Sequence, residues 1–248
     1  MPVGTICAPA RRVPWPAMLG RTVQRAGNLV WRSRAAGGMR RTLRLLAQVG
    51  VEPATIADVG ASDGRWSQLA RAAFPAAELV LFEPHPVHAP GLERFKAKNP
   101  DARIVRSAVG GAEGESLFDA RDPWGGVLQD DRTTGSITVS VVTLDAALVD
   151  AKPPFMVKLD THGAEEAILA GAEQTLARSV AWIIEAYNQR ITPDCLLFWE
   201  LCSHMAVRGF RPLDLVDVHH RPHDKTLWQM DLSFVRSNWN GFSYLGYA

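Results

Sequence analysis

From Thr55 to Val235 short apolar runs alternate with stretches of helical periodicity, and this alternation leaves few architectures open. Repeated β-α units require a parallel sheet covered by helices on both faces, because each crossover must carry the chain back to the start of the next strand. The expected strands are Thr55–Val59, Glu78–Phe82, Arg103–Ala108, Phe155–Leu159 and Val180–Ile184, with Phe210–Val218 and Leu227–Val235 closing the sheet. Helices are expected over 39–49, 65–74 and 90–98, from Leu144, from near Gly163, and from Thr192-Pro193-Asp194 to Gly209. At the last of these Thr192 caps, Pro193 takes the first helical position and Asp194 suits the positive dipole end. Gly110–Gly135 reads as a long irregular segment, marked by the turn signals Asp122-Pro123 and Gly125-Gly126 and followed by the β-branched run Ser136–Val142.

The 248 residues, 47% of them apolar, suit one α/β domain over 36–248 behind an extension over 1–35. That N-terminal region is basic. Nine arginines and no acidic residue precede Glu52, which leaves 18 basic against 26 acidic residues in the remainder. With Trp15 and Trp31 it could touch an anionic substrate, a membrane surface or nucleic acid, serve as a transit segment, or pack on the chain's own acidic surface. Three scattered cysteines, Cys7, Cys195 and Cys202, make no disulfide framework and suit a reducing compartment. No apolar run approaches the ~20 residues of a membrane span, nor the ~7–15 of a secretory signal, so a cytoplasmic location is expected.

In such sheets the ligand lies beyond the carboxyl ends of the strands, where strand order reverses. Asp58, Glu83, Ser107, Asp160 and Glu185 stand at those ends. Ala57 to Trp66 follows a strand and opens a helix, with Gly60 and Gly64 spaced G-x-x-x-G. Gly60 permits positive φ and close approach of a ligand, and Gly64 brings up a helix N-terminus that favours an anion. The third glycine of the dinucleotide fingerprint is missing, so a carboxylate fits better than a pyrophosphate. Glu83 comes nineteen residues after Gly64, placed to accept from the vicinal hydroxyls of a ribose. Together these specify a nucleoside with an amino-acid tail, and S-adenosylmethionine matches that description.

Four blocks in order over residues 55–185 resemble the FkbM family of S-adenosylmethionine-dependent methyltransferases. Asp58 to Gly64 resembles its D-V-G-A-N-x-G turn, Phe82-Glu83-Pro84 its F-E-P strand end, and Thr143-Leu144-Asp145 its T-L-D segment. Lys158-Leu159-Asp160-Thr161-His162-Gly163-Ala164-Glu165 is similar to K-I-D-V-E-G-A-E, and Leu227–Leu232 to a closing strand of some members. The resemblance implies a class I methyltransferase fold: a three-layer sandwich on a seven-stranded, mostly parallel sheet whose last strand is antiparallel. It also implies O-methyl transfer to sugars or natural products. Asp58, Gly60, Ala61, Ser62 and Gly64 would line the methionine end, Glu83 the ribose, and Ser107-Ala108 the adenine. Ser62 stands where the family has Asn and keeps a hydrogen-bonding side chain. His162 stands where it has Glu, which unsettles any role given to that Glu.

The candidate catalytic residues are Lys158, Asp160 and His162. An alcohol is a weak nucleophile and gains from a base, and a histidine titrating near neutrality suits a sugar hydroxyl, with Asp160 orienting it. Lys158 could instead pair with Glu165 or Glu185. His219, His220, His223 and Asp224 have metal-ligand chemistry, but neighbouring histidines in a Pro-containing loop suit a pocket rim, and no metal is assigned. Trp66 and Trp124 could stack on adenine or a sugar ring. The partner expected is a small-molecule or glycan acceptor. No nucleic acid is expected, since the N/D-P-P-Y/W block is missing and the chain beyond the leader is acidic. The competing class is a non-catalytic module that binds through its arginine-rich leader.

Overall fold

The structure is a computed structural model that describes residues 37–247, so the extension expected over 1–35 lies outside the described residues. Helix α1 (37–48) buries Met39, Leu43 and Leu46 at helical spacing, and Gly50, at φ +84, ends it. There follow β1 (Thr55–Val59), α2 (Arg65–Ala73), β2 (Glu78–Phe82), α3 (Ala89–Lys98), β3 (Arg103–Val105), β4 (Ala108–Val109), β5 (Gly114–Asp119), β6 (Leu128–Gln129) and β7 (Ser136–Val142). The chain continues with α4 (Leu144–Ala147), β8 (Phe155–Leu159), α5 (Glu165–Ala170), α6 (Glu173–Arg178), β9 (Ser179–Tyr187), α7 (Phe198–Val207), β10 (Phe210–His220) and β11 (Leu227–Arg236).

Seven strands form one sheet in the order β10-β11-β9-β8-β1-β2-β3. β3, β2, β1, β8 and β9 pair in parallel, and β11 runs antiparallel to both β9 and β10. All five residues of β1 and of β8 are buried, as central strands covered on both faces must be. Alternate residues serve opposite layers. Ala57, Val59, Phe155, Val157, Trp182 and Ile184 pack with Leu144, Ile168, Leu201 and Met205 from the later helices. Ile56, Leu79, Leu81, Met156 and Ile183 pack with Leu43, Leu46, Ala70, Leu92 and Phe95 from the first three. Full burial of each such side chain stabilises by about 1.5–3 kcal/mol, which makes these two layers the main stabilising term. No helix among the described residues is long and apolar enough to cross a membrane.

Three expectations are corrected. The strand expected over Arg103–Ala108 breaks after Val105, and Ala108–Val109 pairs instead with β7. The segment expected to be irregular carries β5 and β6, which join β4 and β7 in a second, four-stranded sheet around Phe118, Val139 and Val141. β6 has only two residues and β5 buries only Phe118, so no apolar alternation announces them. The helix expected from Thr192 begins at Phe198, with the Glu200 carboxylate accepting from Leu197 N at 2.9 Å. Thr192 is drawn elsewhere: its hydroxyl donates to Gly163 O at 3.3 Å.

Candidate active site

A cavity of about 510 Å³ opens beyond the carboxyl ends of β1, β2, β8 and β9, where the chain leaves β1 for β2 on one side and β8 lies on the other. The turn after β1 forms its floor. Gly60 N and Ala61 N both donate to Phe82 O, at 3.1 and 3.0 Å, which locks the turn to the end of β2. Gly60, Ser62 and Gly64 take φ of +77, +50 and +82. A Cβ on Gly60 would lie 2.0 Å from the Asp160 carbonyl oxygen, and one on Gly64 would press Phe95 of α3 at 3.1 Å. The freedom of both glycines is therefore used to pack protein against protein.

Gly60, Ala61, Ser62, Glu83, Ser107, Ala108, Lys158, Asp160 and His162 all line the cavity, together with Trp66 and Trp124. Asp58 and Gly64 do not appear on its wall. Asp58 is fully buried, accepts from the Ser67 hydroxyl at 2.6 Å and faces Lys158 Nζ at 3.6 Å. Burial raises its pKa, against the opposing pull of Lys158.

Glu83 is buried at the end of β2, and each of its oxygens holds one backbone group: Ser62 N and His85 N both donate to it at 2.8 Å. Burial lifts its pKa, while those two amides pull it down. His85 and His88, which sequence reasoning missed, tie this corner to the loop after β5. His85 Nε2 lies 3.2 Å from Ala120 O, and His88 Nε2 lies 2.6 Å from Pro123 O. Nothing in the local sequence sets these histidines apart from ordinary loop residues.

The opposite set of polar residues comes from β8, β9 and β11. Lys158 Nζ lies 2.9 Å from Asp160 Oδ2, not against the Glu165 or Glu185 expected of it. Burial works against its charge, but Asp160 and Asp58 outweigh that and raise its pKa. Burial likewise opposes the charge on Asp160, yet Lys158 and then His162 hold its pKa below the ordinary value. His162, at φ +55, sits with Nε2 3.9 Å from Asp160 Oδ1 and 3.7 Å from Glu185 Oε2. Donor atoms of Asp160, His162 and Glu185 all lie within 4.8 Å of one another. Glu185 was expected to end its strand but lies inside β9, register partner of Asp231 on β11. Gln229 Nε2 donates to Glu185 Oε1 at 2.6 Å, and the Tyr187 hydroxyl donates to Oε2. Burial, then repulsion from Asp160, pushes Glu185 well above the usual carboxylate range, and burial with Glu185 does the same to Asp231. Gln229 and Asp231, polar positions two apart within an apolar strand, mark one face of β11, while the place of Glu185 beside them comes from the register of β9 with β11. His219 lines the cavity, whereas Asp224 is bound by Arg221 and Thr226, so the 219–224 group does not converge.

A seven-stranded sheet in this order, with β11 reversed and a glycine turn below a strand-end glutamate, defines a class I methyltransferase fold. The chain belongs to the FkbM family: the family model described as a methyltransferase FkbM domain matches residues 58–212. It is an S-adenosylmethionine-dependent methyltransferase. A solved magnesium protoporphyrin IX methyltransferase from Synechocystis PCC 6803 with bound S-adenosylmethionine aligns with TM-score 0.50 and 12% identity over 90% of this chain and 87% of its own. A 1,6-didemethyltoxoflavin-N1-methyltransferase from Burkholderia thailandensis aligns with TM-score 0.44 and 15% identity, covering 91% and 94% of the two chains. No match was found among curated proteins.

Proposed function

We propose that this methyltransferase acts on a hydroxyl of a sugar, glycan or small natural product. The observation that supports the reading is the meeting of Asp160, His162 and Glu185 in the same cavity as the Gly60 turn and Glu83. Oxygen is a poor nucleophile while protonated, and this cluster offers a place for the hydroxyl to bind and its proton to be drawn off.

The cavity fits the cofactor by its own unsatisfied groups. Trp66 Nε1 and Thr161 Oγ1 are buried in its wall without a hydrogen-bond partner, and each Glu83 oxygen keeps a lone pair beyond the backbone amide it holds. In this reading the Gly60-Ala61-Ser62 turn holds the methionine end, Glu83 the ribose hydroxyls, and Ser107-Ala108 the adenine. Asp58 and Gly64 brace the turn from behind. When bound, S-adenosylmethionine supplies an electrophilic methyl group. Lys158 keeps Asp160 ionised, and Asp160 Oδ1 and Glu185 Oε2 flank His162 Nε2 at 3.9 and 3.7 Å. The acceptor is a neutral polyol or alcohol and not a nucleic acid.

Incubation with methyl-labelled S-adenosylmethionine and a panel of saccharides and natural-product alcohols tests this. Methyl ethers, identified by NMR, are expected. Label confined to nitrogen acceptors or to RNA would overturn it.

A further inference from the structure

Asp160, His162 and Glu185 leave an unusual balance of charge. Four carboxylates, Asp160, Glu185, Asp217 and Asp231, line the side of the cavity built by β8 to β11, and the ammonium beside them, Lys158, is already shared with buried Asp58. Carboxylates gathered this closely on a partly sheltered wall need a cation or a proton between them. From the donor positions we infer that Asp160, His162 and Glu185 bind one divalent transition-metal ion. This rests on the reading of the cluster as the acceptor end of the cavity, and deepens it: the ion would take the acceptor oxygen as a further ligand and lower its pKa, with His162 as a ligand and not a free base.

The geometry suits an ion. Donors held at ~2.1 Å from one ion lie roughly 3.0–3.4 Å apart, so the separations of 3.7 and 3.9 Å from His162 Nε2 need a contraction of about half an ångström, and the Asp160–Glu185 pair, within 4.8 Å, needs at most about 1.5 Å. The oxygens are also divided in the way ligation requires. Lys158 takes Asp160 Oδ2, and Oδ1 is the oxygen turned to His162. Gln229 takes Glu185 Oε1, while Oε2 accepts from Tyr187 and keeps a second lone pair. Ligating carboxylates are commonly steadied by such donors. An imidazole beside two carboxylates favours Mn²⁺ or Zn²⁺ over Mg²⁺ or Ca²⁺. The turn that carries His162 is fixed from two sides: Gly163 N donates to buried Glu165 at 2.8 Å, and Thr192 holds Gly163 O at 3.3 Å.

The test is calorimetric titration of the chelator-treated full chain with Mn²⁺, repeated with Zn²⁺, alongside thermal melts. The variants are Glu185→Gln and His162→Asn, since Asn tolerates the left-handed backbone at 162. One ion per chain and a rise in Tm on its addition are expected. Each variant should weaken ion binding at least tenfold while its affinity for S-adenosylhomocysteine stays within threefold. A folded wild-type chain that takes up neither ion overturns the inference, as do variants that bind the ion as tightly as the wild type. If methyl ethers still form without ion uptake, only the ion is lost. Ion uptake that depends on His162, without transfer to any alcohol, upholds the site and removes the proposed acceptor.

Discussion

Asp58 and Lys158 are register partners on the parallel strands β1 and β8, and their side chains meet at 3.6 Å with 0% and 6% exposure. Because the lysine is held protonated between Asp58 and Asp160, it is a fixed charge and not a proton acceptor. Lys158→Met should cost about 3–5 kcal/mol, since it strands a buried carboxylate. Adding Asp58→Asn should return a large part of that. Urea unfolding of the two single variants and the double variant measures the coupling, and a single-variant cost below about 1 kcal/mol would show that the pair is not the brace described.

Gly60→Ala tests the junction of β1 with β8. Its Cβ would collide with backbone, the Asp160 carbonyl at 2.0 Å, which cannot swing aside. A loss of about 2–4 kcal/mol is expected, the sum of positive-φ strain and overpacking. Cofactor binding should fall with it. An unchanged Tm would mean that the two strand ends are further apart.

His162→Asn should lower turnover by about a hundredfold or more while changing S-adenosylmethionine affinity little, the split expected of a residue at the acceptor end. Steady-state kinetics beside calorimetry reads both. Unchanged turnover would remove His162 from the reaction.

Asp217 gives a pH dependence. Burial raises its pKa to about 6, against the pull of Arg41, above its unfolded value. The folded chain therefore holds a proton that the unfolded chain has released, and stability falls as pH rises from about 4 through about 6. Asp217→Asn should stabilise at pH 8 by an amount on the order of 1 kcal/mol after solvent screening, with little gain at pH 4.5. Equal gains in melts at the two pH values would contradict this.

Much of the main sheet was legible because buried parallel strands read as continuous apolar runs: Thr55–Val59, Glu78–Phe82 and Phe155–Leu159 stand where the pattern placed them. The second sheet was not legible, because β5 buries only Phe118, β6 has only two residues, and their order comes from the pairing of β5 with β7 and of β6 with β5. Thr192 misled for a different reason. Its hydroxyl has capping chemistry, but it caps no helix: it donates to Gly163 O across the fold, and the helix starts at Phe198.

The site shows the same division. Local motifs found the turn and Glu83, since both sit at fixed offsets from strand ends. The side chain of Ser62 is only half of its role: its backbone at φ +50 gives a physical reason for Asn in the family pattern. Glu185, Gln229 and Asp231 converge only through the register of β9 with β11, which no single segment encodes.

Whether the β1 turn and Glu83 together hold a sulfonium nucleoside is read by calorimetry with S-adenosylhomocysteine on the wild-type chain and on Glu83→Gln. Saturable binding at one site is expected, with a loss of about ten- to a hundredfold in the variant, equivalent to about 1.4–2.8 kcal/mol. A wild-type chain that binds no S-adenosylhomocysteine, or a variant that binds it equally well, would contradict it.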